Sequence, residues 1–488
     1  MAGAIAEEGV NPVTNPRALT RGQFLGNLGA ALCPAAPRPQ SGRLVRPNFI
    51  FILCDDLGWG DLPCYGHRGL IAHGGWNVRG DLKMPSVDRL AREGTRFTQF
   101  YVASAVCSPS RAAFMTGQFP ARLGIHDYLA SNELNRKRGV ADHLAPSIPT
   151  VTRLLKDSGY VTAHFGKWHL GGADSPKPEQ YGITRYDACI SPPQGRVHSS
   201  EKIADEILAF METHRTQPFF INAWVYDPHS PLHPTDEMMA PYKDLPSGWK
   251  GRRSAFEVYY GVLEYLDRQV GRILGGLDEL GLTGNTVVVF SSDNGPESDL
   301  IPFTSFYAAA STAGPFRGLK RSLYEGGVRT PFIVRWPGKT PGGKVDNQTV
   351  IGGVDFLPTV CRLAGVPLPS GFHADGEDLS ASILGKSHVR TRPLLWENRF
   401  PVYGHVLDMS PMLAIREGNW KLLMNPDRSR VELYDIPADP TEMSNRAREL
   451  PDVVKRLSSQ LLRWQATLPK GPVDKSAGAK GYPWPQEQ

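Results

Sequence analysis

The run Asn48-Phe49-Ile50-Phe51-Ile52-Leu53-Cys54 leads straight into Asp55-Asp56. Its middle is apolar without alternation, the pattern of a strand buried on both faces in a sheet covered by helices. Further short β-branched or aromatic runs occur at 160–164, 218–225, 286–290 and 331–336. Between them the apolar spacing turns helical. Residues 86–93 place Val87, Leu90 and Ala91 on one face and stop at Gly94, and 150–156 carry Val151, Leu154 and Leu155 before Gly159. Residues 256–280 set Val262, Leu266, Val270, Ile273 and Leu277 at helical intervals. Strand alternating with helix predicts an α/β sandwich around a mostly parallel sheet.

The alternation ends near Gly365, where Pro367, Pro369 and Gly371 make a loop. Beyond it, 393–396, 412–416, 420–424 and 431–434 read as short antiparallel strands, and 450–467 as a closing helix. The spacing predicts a main domain over 45–385 and a smaller C-terminal α+β subdomain with an antiparallel sheet over 386–488. The Pro/Gly-rich tail beyond Pro469 reads as loosely held.

The 488 residues are enough to bury a large core, and 41% hydrophobic with 21% charged is ordinary for a soluble globular protein. A net charge of +5 without a polybasic block gives no reason to expect nucleic acid or an anionic membrane as partner. No run approaches the ~20 apolar residues of a bilayer span. Six cysteines (Cys33, Cys54, Cys64, Cys107, Cys189, Cys361) are too scattered for a disulfide scaffold and leave the redox compartment open. Residues 1–44 read as an export leader or a disordered tail. Thr20-Arg21-Gly22-Gln23-Phe24-Leu25 and the small apolar stretch 26–36 resemble a twin-arginine leader, with Gly22 where the second arginine belongs. That reading places the protein in the periplasm or outside the cell; the tail reading leaves it in the cytoplasm.

In open α/β sheets the ligand lies beyond the carboxyl ends of the strands. Three strand ends here are polar: Asp55-Asp56, Ser291-Ser292-Asp293-Asn294-Gly295, and Tyr226-Asp227-Pro228-His229-Ser230-Pro231. Adjacent carboxylates repel unless a cation or hydrogen-bond donors lie between them. Asp55, Asp56, Asp293 and the Asn294 amide oxygen are hard donors, suited to Ca²⁺ or Mg²⁺ rather than zinc. Any one such pair could equally be a helix cap or a turn.

Two motifs remove that ambiguity. Cys107-Ser108-Pro109-Ser110-Arg111-Ala112-Ala113-Phe114-Met115-Thr116-Gly117 resembles the C-x-P-S-R…T-G signature of type I sulfatases, and Gly166-Lys167-Trp168-His169-Leu170-Gly171 is similar to their second motif. Leu433-Tyr434-Asp435-Ile436 with Asp439-Pro440-Thr441-Glu442 resembles a structural segment of the same family. Within it, the chain is most similar to the arylsulfatase A and N-acetylgalactosamine-6-sulfatase-like branch. The resemblance implies an alkaline-phosphatase-like sandwich and conversion of Cys107 to formylglycine by a maturation enzyme. It also implies a cation, usually Ca²⁺ with Mg²⁺ as the other choice, held by Asp55, Asp56, Asp293, Asn294 and the oxygen at position 107.

The same resemblance assigns roles. Lys167 contacts the formylglycine and the sulfate, and His169 hydrogen-bonds the hydrated aldehyde. His229 protonates the leaving group. Lys320, ahead of Tyr324-Glu325-Gly326-Gly327, binds a sulfate oxygen, and Arg111 steadies the formylglycine. Lys167 and His169, two apart in an extended stretch, are expected on one face. With the cation, three basic and three acidic side chains leave the pocket at about +2, which suits a sulfate monoester. As family chemistry implies, one hydroxyl of the aldehyde hydrate attacks sulfur; the other then gives up its proton, and C–O cleavage releases sulfate and the aldehyde. Unconverted Cys107 is then nearly inactive.

Two other readings remain. One is a phosphonate monoester or phosphodiester hydrolase of the same superfamily. The other is a non-catalytic sulfated-glycan-binding protein, which applies if Cys107 is never converted. A sulfated carbohydrate, small or polymeric, is the expected substrate by analogy. The expected specificity loops are 125–135, 191–200, 297–313 and 400–412, with His126, Arg196, His198, Tyr307 and Tyr403 among them.

Overall fold

The structure, a computed structural model, describes residues 46–66, 82–172, 174–187, 199–245, 253–297 and 306–479. The possible leader, Cys33, Cys189, Arg196 and His198 lie outside these. In chain order the first strands are β1 (Asn48–Cys54), β2 (Thr95–Phe97), β3 (Phe100–Tyr101), β4 (Val161–Gly166), β5 (Arg185–Asp187), β6 (Phe219–Trp224), β7 (Thr286–Ser292), β8 (Phe332–Arg335), β9 (Lys344–Asp346) and β10 (Ile351–Gly352). Eight of them form one sheet in the order β5-β4-β6-β1-β7-β8-β2-β9, while β3 and β10 pair separately.

β1 lies inside a parallel block, with Phe51 level with Asn222 on one side and Val289 on the other. Alternate residues of β1 feed opposite faces, as strand geometry requires. Phe49, Phe51 and Leu53 join one apolar core with Phe114, Val151 and Leu357. Ile50 and Ile52 join a second with Leu90, Ile207 and Leu266. The helices behind these cores are Cys107–Thr116, Val151–Asp157 and Phe356–Ala364 on the first face, and Pro85–Glu93, Ser199–Thr213 and Ala255–Glu279 on the second. Phe51 stacks on Phe356 at 4.3 Å between ring centres and meets Phe114 edge-on at 5.0 Å.

A second, antiparallel sheet follows: β11 (Leu394–Glu397), β12 (Leu413–Glu417), β13 (Trp420–Met424) and β14 (Glu432–Asp435), in sequence order. Its buried residues, with Leu457 and Leu461 of the helix Pro451–Gln465, continue the first core. The fold is thus an alkaline-phosphatase-like sandwich with a mostly parallel sheet and a smaller antiparallel one.

The mostly parallel sheet holds as expected with one antiparallel strand in it, and one expectation, the loose tail, needs correction. The run at 331–336 forms β8, which is antiparallel to both β7 and β2; a short apolar run encodes burial, not direction. The tail beyond Pro469 is held as far as residue 479: Ala477 is buried, and the Gly478 carbonyl accepts bonds from Asn425 and Arg430. Among the described residues no helix is long and apolar enough to cross a membrane, and Cys54, Cys64, Cys107 and Cys361 are free thiols.

Candidate active site

Because β4, β6, β1 and β7 are neighbours and parallel, their carboxyl ends open on one edge of the sheet. Lys167 and His169 follow β4, His229 follows β6, Asp55-Asp56 follow β1, and Asp293-Asn294 follow β7. Cys107 is brought to the same edge by the helix Cys107–Thr116, of which it is the first residue. Arg111 stands four residues on, one helical turn above it. All ten residues of that helix are buried.

Three ion pairs organise the edge. Lys167 Nζ donates to Asp55 Oδ2 at 2.5 Å, and Lys320 Nζ donates to Asp56 Oδ2 at 2.6 Å. Arg111 Nε donates to Asp293 Oδ2 at 2.8 Å, with Nη2 at 2.6 Å, while Nη1 donates to the Lys167 carbonyl at 3.0 Å. The Arg111 guanidinium also lies 5.1 Å from the centre of the Trp224 ring. Asp56 adopts the left-handed region (φ 65°), and its Oδ1 accepts Asn294 Nδ2 at 2.7 Å. The backbones that carry these groups touch: a Cβ on Gly295 would lie 1.9 Å from the Gly326 carbonyl oxygen.

The donor set fits a hard cation. An oxygen or sulfur atom from each of Asp55, Cys107 and Asp293 lies within 4.8 Å of the others, and so does one ligand atom from each of Asp55, Asp56 and His229. Two oxygens bound to one Ca²⁺ at 2.3–2.6 Å are at most about 5 Å apart. Asp55 Oδ1 and Asn294 Oδ1 are buried and accept no hydrogen bond among the described residues. A buried acceptor left that way is costly, and a bound cation would remove the cost.

Burial and charge set the protonation. Burial alone would raise Asp55, but Lys167 first, then His229, Arg111 and Lys320, hold it well below the ordinary carboxylate range. Asp293 is pushed up to about 7 by burial and by Asp55, against the pull of Arg111. Burial raises the Cys107 thiol. His229 is lowered to about 4, chiefly by burial, and His169 falls well below its usual value by burial and the charges of Lys167 and Arg111.

Every candidate side chain from the two motifs and the polar strand ends therefore falls at one edge of the sheet. One geometric expectation fails. Residues 167–169 are not extended, because Gly166 (φ 101°) and His169 (φ 53°) are left-handed. Trp168 turns into the core instead, 2% exposed. His169 Nε2 faces the Leu129 carbonyl at 3.0 Å, so in the neutral ring the proton sits there and Nδ1 keeps its lone pair. Of the expected rim residues, His126 is buried and paired with Glu397 at 3.3 Å, and Tyr307 packs half-buried on the second core. Tyr403 stays 49% exposed.

Sequence reasoning gave Glu297 only as the first residue of the expected 297–313 loop and passed over Arg321. Glu297 lies 3.4 Å from Lys320 and 2.7 Å from Arg321, adding one charge of each sign, so the sum of about +2 stands. The signal for Arg321 was its place beside Lys320.

Residues 47–366 match the Sulfatase family model, and 317–467 match the N-sulphoglucosamine sulphohydrolase C-terminal model. The chain belongs to the sulfatase family, enzymes that hydrolyse sulfuric esters. Among relatives, it is 31% identical over 526 residues to the N-acetylgalactosamine-6-sulfatase of Canis lupus familiaris, covering 93% of this chain and 91% of that one. It is 27% identical to the N-acetylgalactosamine-6-O-sulfatase of Bacteroides thetaiotaomicron, covering 85% and 92%, and 29% identical to arylsulfatase A of Homo sapiens, covering 88% and 91%. The fold is shared with the PsFucS1 sulfatase from Pseudoalteromonas sp. at a TM-score of 0.68 and 24% identity, over 88% of this chain and 92% of that one. Ps i-CgsB superposes with a TM-score of 0.73 at 24% identity, over 91% and 97%.

Proposed function

We propose that this sulfatase removes sulfate from a carbohydrate, using position 107 as nucleophile after conversion to formylglycine and a Ca²⁺ ion, with Mg²⁺ as substitute. The observation that carries the reading is the cluster of Asp55, Cys107 and Asp293, whose ligand atoms lie within 4.8 Å of one another, with Asp55 Oδ1 buried and accepting no hydrogen bond among the described residues. The names of the relatives support a sulfated amino sugar as the substrate class.

When bound, the cation supplies positive charge to a developing oxyanion and lowers the pKa of a hydroxyl at position 107. Asp55, Asp56, Asp293 and Asn294 hold it. Lys167 and Lys320 present their amino groups to the sulfate, and the resting pairs with Asp55 and Asp56 hold both side chains in place. Arg111 fixes the Asp293 carboxylate and, through the Lys167 carbonyl, the turn after β4. His229 Nδ1 donates to the Ser230 carbonyl at 2.5 Å, which leaves Nε2 as the nitrogen that serves the leaving oxygen. His169 Nδ1, buried and without a hydrogen-bond partner among the described residues, is the base for the step that frees sulfate.

A formylglycine-generating enzyme must act on Cys107, and export through residues 1–44 goes with this reading. The test is coexpression with such an enzyme, then mass analysis of tryptic peptide 97–111 and assays on an aryl sulfate and an aryl phosphonate. CH₂SH converted to CHO, with sulfate turned over far faster than phosphonate, is the expected result. A faster phosphonate reaction overturns the assignment. A converted residue with no turnover of either ester leaves glycan binding without hydrolysis.

A further inference from the structure

Beside the reaction centre lies a cleft of about 790 Å³, toward the top of the roughly 300–1,000 Å³ range of ligand pockets. It adjoins the centre through sequence neighbours, since Val106 precedes Cys107, Arg321 follows Lys320, and both line it. On one side stand Tyr128 and the helix Asn132–Arg138; on another, Tyr403 and the segment around Lys475. Gly139, at the end of that helix, meets Pro472, so the two sides close against each other there.

The lining carries four basic side chains (Lys137, Arg138, Arg321, Lys475) against two acidic ones (Asp127, Asp474). Arg138 is already engaged, donating to Asp127 at 2.7 Å and lying 4.4 Å from the Tyr128 ring centre. Asp474 accepts from the Ser476 backbone and hydroxyl. Lys137 and Lys475 are exposed and have no ion-pair partner among the described residues.

Arg321 differs from both lysines. Its side chain is only 13% exposed, Nη1 donates to Glu297 at 2.7 Å, and its other side-chain nitrogens have no hydrogen-bond partner among the described residues. The guanidinium lies 5.3 Å from the Tyr403 ring centre. Its backbone is left-handed (φ 76°), a conformation that costs any residue with a Cβ. The Ala105 carbonyl, which accepts the Arg321 N–H, and Asn398 Nδ2, which donates to the Arg321 carbonyl, hold it there at 2.8 Å each. A guanidinium fixed in this way presents donors at the planar spacing of a carboxylate or a sulfate face.

We propose that the cleft is a second-anion subsite. The carbohydrate that offers its sulfate to position 107 carries another anionic group, carboxylate or sulfate, and Arg321 receives it. Tyr128 and Tyr403 offer ring surface to the sugar, while Lys137 and Lys475 attract the substrate at the rim. The subsite rests on the sulfatase reading above and narrows its substrate class.

The experiment uses the converted enzyme with four substrates. They are an aryl sulfate, N-acetylgalactosamine 6-sulfate, the same sugar with a second sulfate, and the same sugar joined to a uronic acid. In the native enzyme a second anion raises kcat/KM over the singly charged sugar by about tenfold, mostly through KM. The advantage shrinks as salt rises. Arg321→Gln brings the ratio to about one, and Arg321→Lys keeps part of it, because the charge survives and the planar fork does not. Preference for the disulfated or for the uronate substrate identifies the anion, and either supports the subsite. A native ratio of about two or less, an unchanged ratio in Arg321→Gln, or hydrolysis of the aryl ester alone overturns it. Failure on the aryl ester and all three sugars overturns the sulfatase reading itself, and the subsite with it.

Discussion

Arg111→Met tests the pairing that fixes the β7 end against the nucleophile helix. Methionine replaces much of the arginine stem and removes the charge. Asp293, 0% exposed, then keeps the Asp56 N–H at 3.3 Å but loses the guanidinium at 2.6–2.8 Å. Breaking a buried pair by removing one partner costs about 3–5 kcal/mol, since the remaining charge stays desolvated. The lost bond to the Lys167 carbonyl contributes about 1 kcal/mol of that total. Asp293→Asn should cost less, because the guanidinium keeps the carbonyl of Lys167 and the face of Trp224. The double variant should then recover about 2–3 kcal/mol relative to the sum of the singles, as expected for groups in contact. Urea unfolding in the presence of a chelator, followed by tryptophan fluorescence, measures all three without a contribution from the cation. A cost below about 1 kcal/mol for Arg111→Met, or additivity within about 0.5 kcal/mol, would refute the pairing as the reason for this arginine.

Three further outcomes are expected. Chelation abolishes turnover and Ca²⁺ restores it, and Asn294→Ala raises the Ca²⁺ needed for half-activity at least about tenfold; an unchanged titration removes Asn294 from the ligand set. Gly295→Ala lowers stability by about 2–3 kcal/mol, because its Cβ would sit 1.9 Å from the Gly326 oxygen, and a melting temperature equal to that of the native protein would count against the close approach. Glu377 accepts from His388 (2.7 Å), Thr391 (N at 2.9 Å, Oγ1 at 2.8 Å) and the Arg392 N–H (2.6 Å), which hold its pKa at about 2 although burial works to raise it. A depressed carboxyl contributes stability above its unfolded value of 4.5 and loses it as pH falls through about 2. With screening near the surface, Glu377→Gln should cost about 1–2 kcal/mol at pH 7 and less than half of that near pH 3; an equal gap at both pH values would discard the explanation.

The strands that build the centre were legible because they are buried on both sides, so Phe49 to Cys54 and Val287 to Phe290 are apolar throughout. Thr95–Phe97 and Lys344–Asp346 were not, since three residues carry no periodicity and each takes its place from a distant strand, β2 from β8 and β9 from β2. The helix Ser199–Thr213 has Ile203, Ile207 and Met211 at regular intervals, yet its polar start passed for loop. Cys107, Lys167 and Lys320 were readable as motif residues. His126 was not, because its burial depends on Glu397, far along the chain. Arg321 was hidden for a similar reason: its posture comes from Ala105, Glu297 and Asn398.

Each of the three site carboxylates already has a basic partner at 2.5–2.8 Å. A site whose buried acids had only the cation to neutralise them would have to load in the act of folding, as small zinc domains do. Here Lys167, Lys320 and Arg111 cancel the charge from within. Folding and cation uptake become separable events, and what the ion adds on arrival is the surplus positive charge that recruits the ester. An enzyme stripped of its cation should therefore stay folded and accept the ion again, and loss of activity on chelation would report a depleted centre rather than a lost fold.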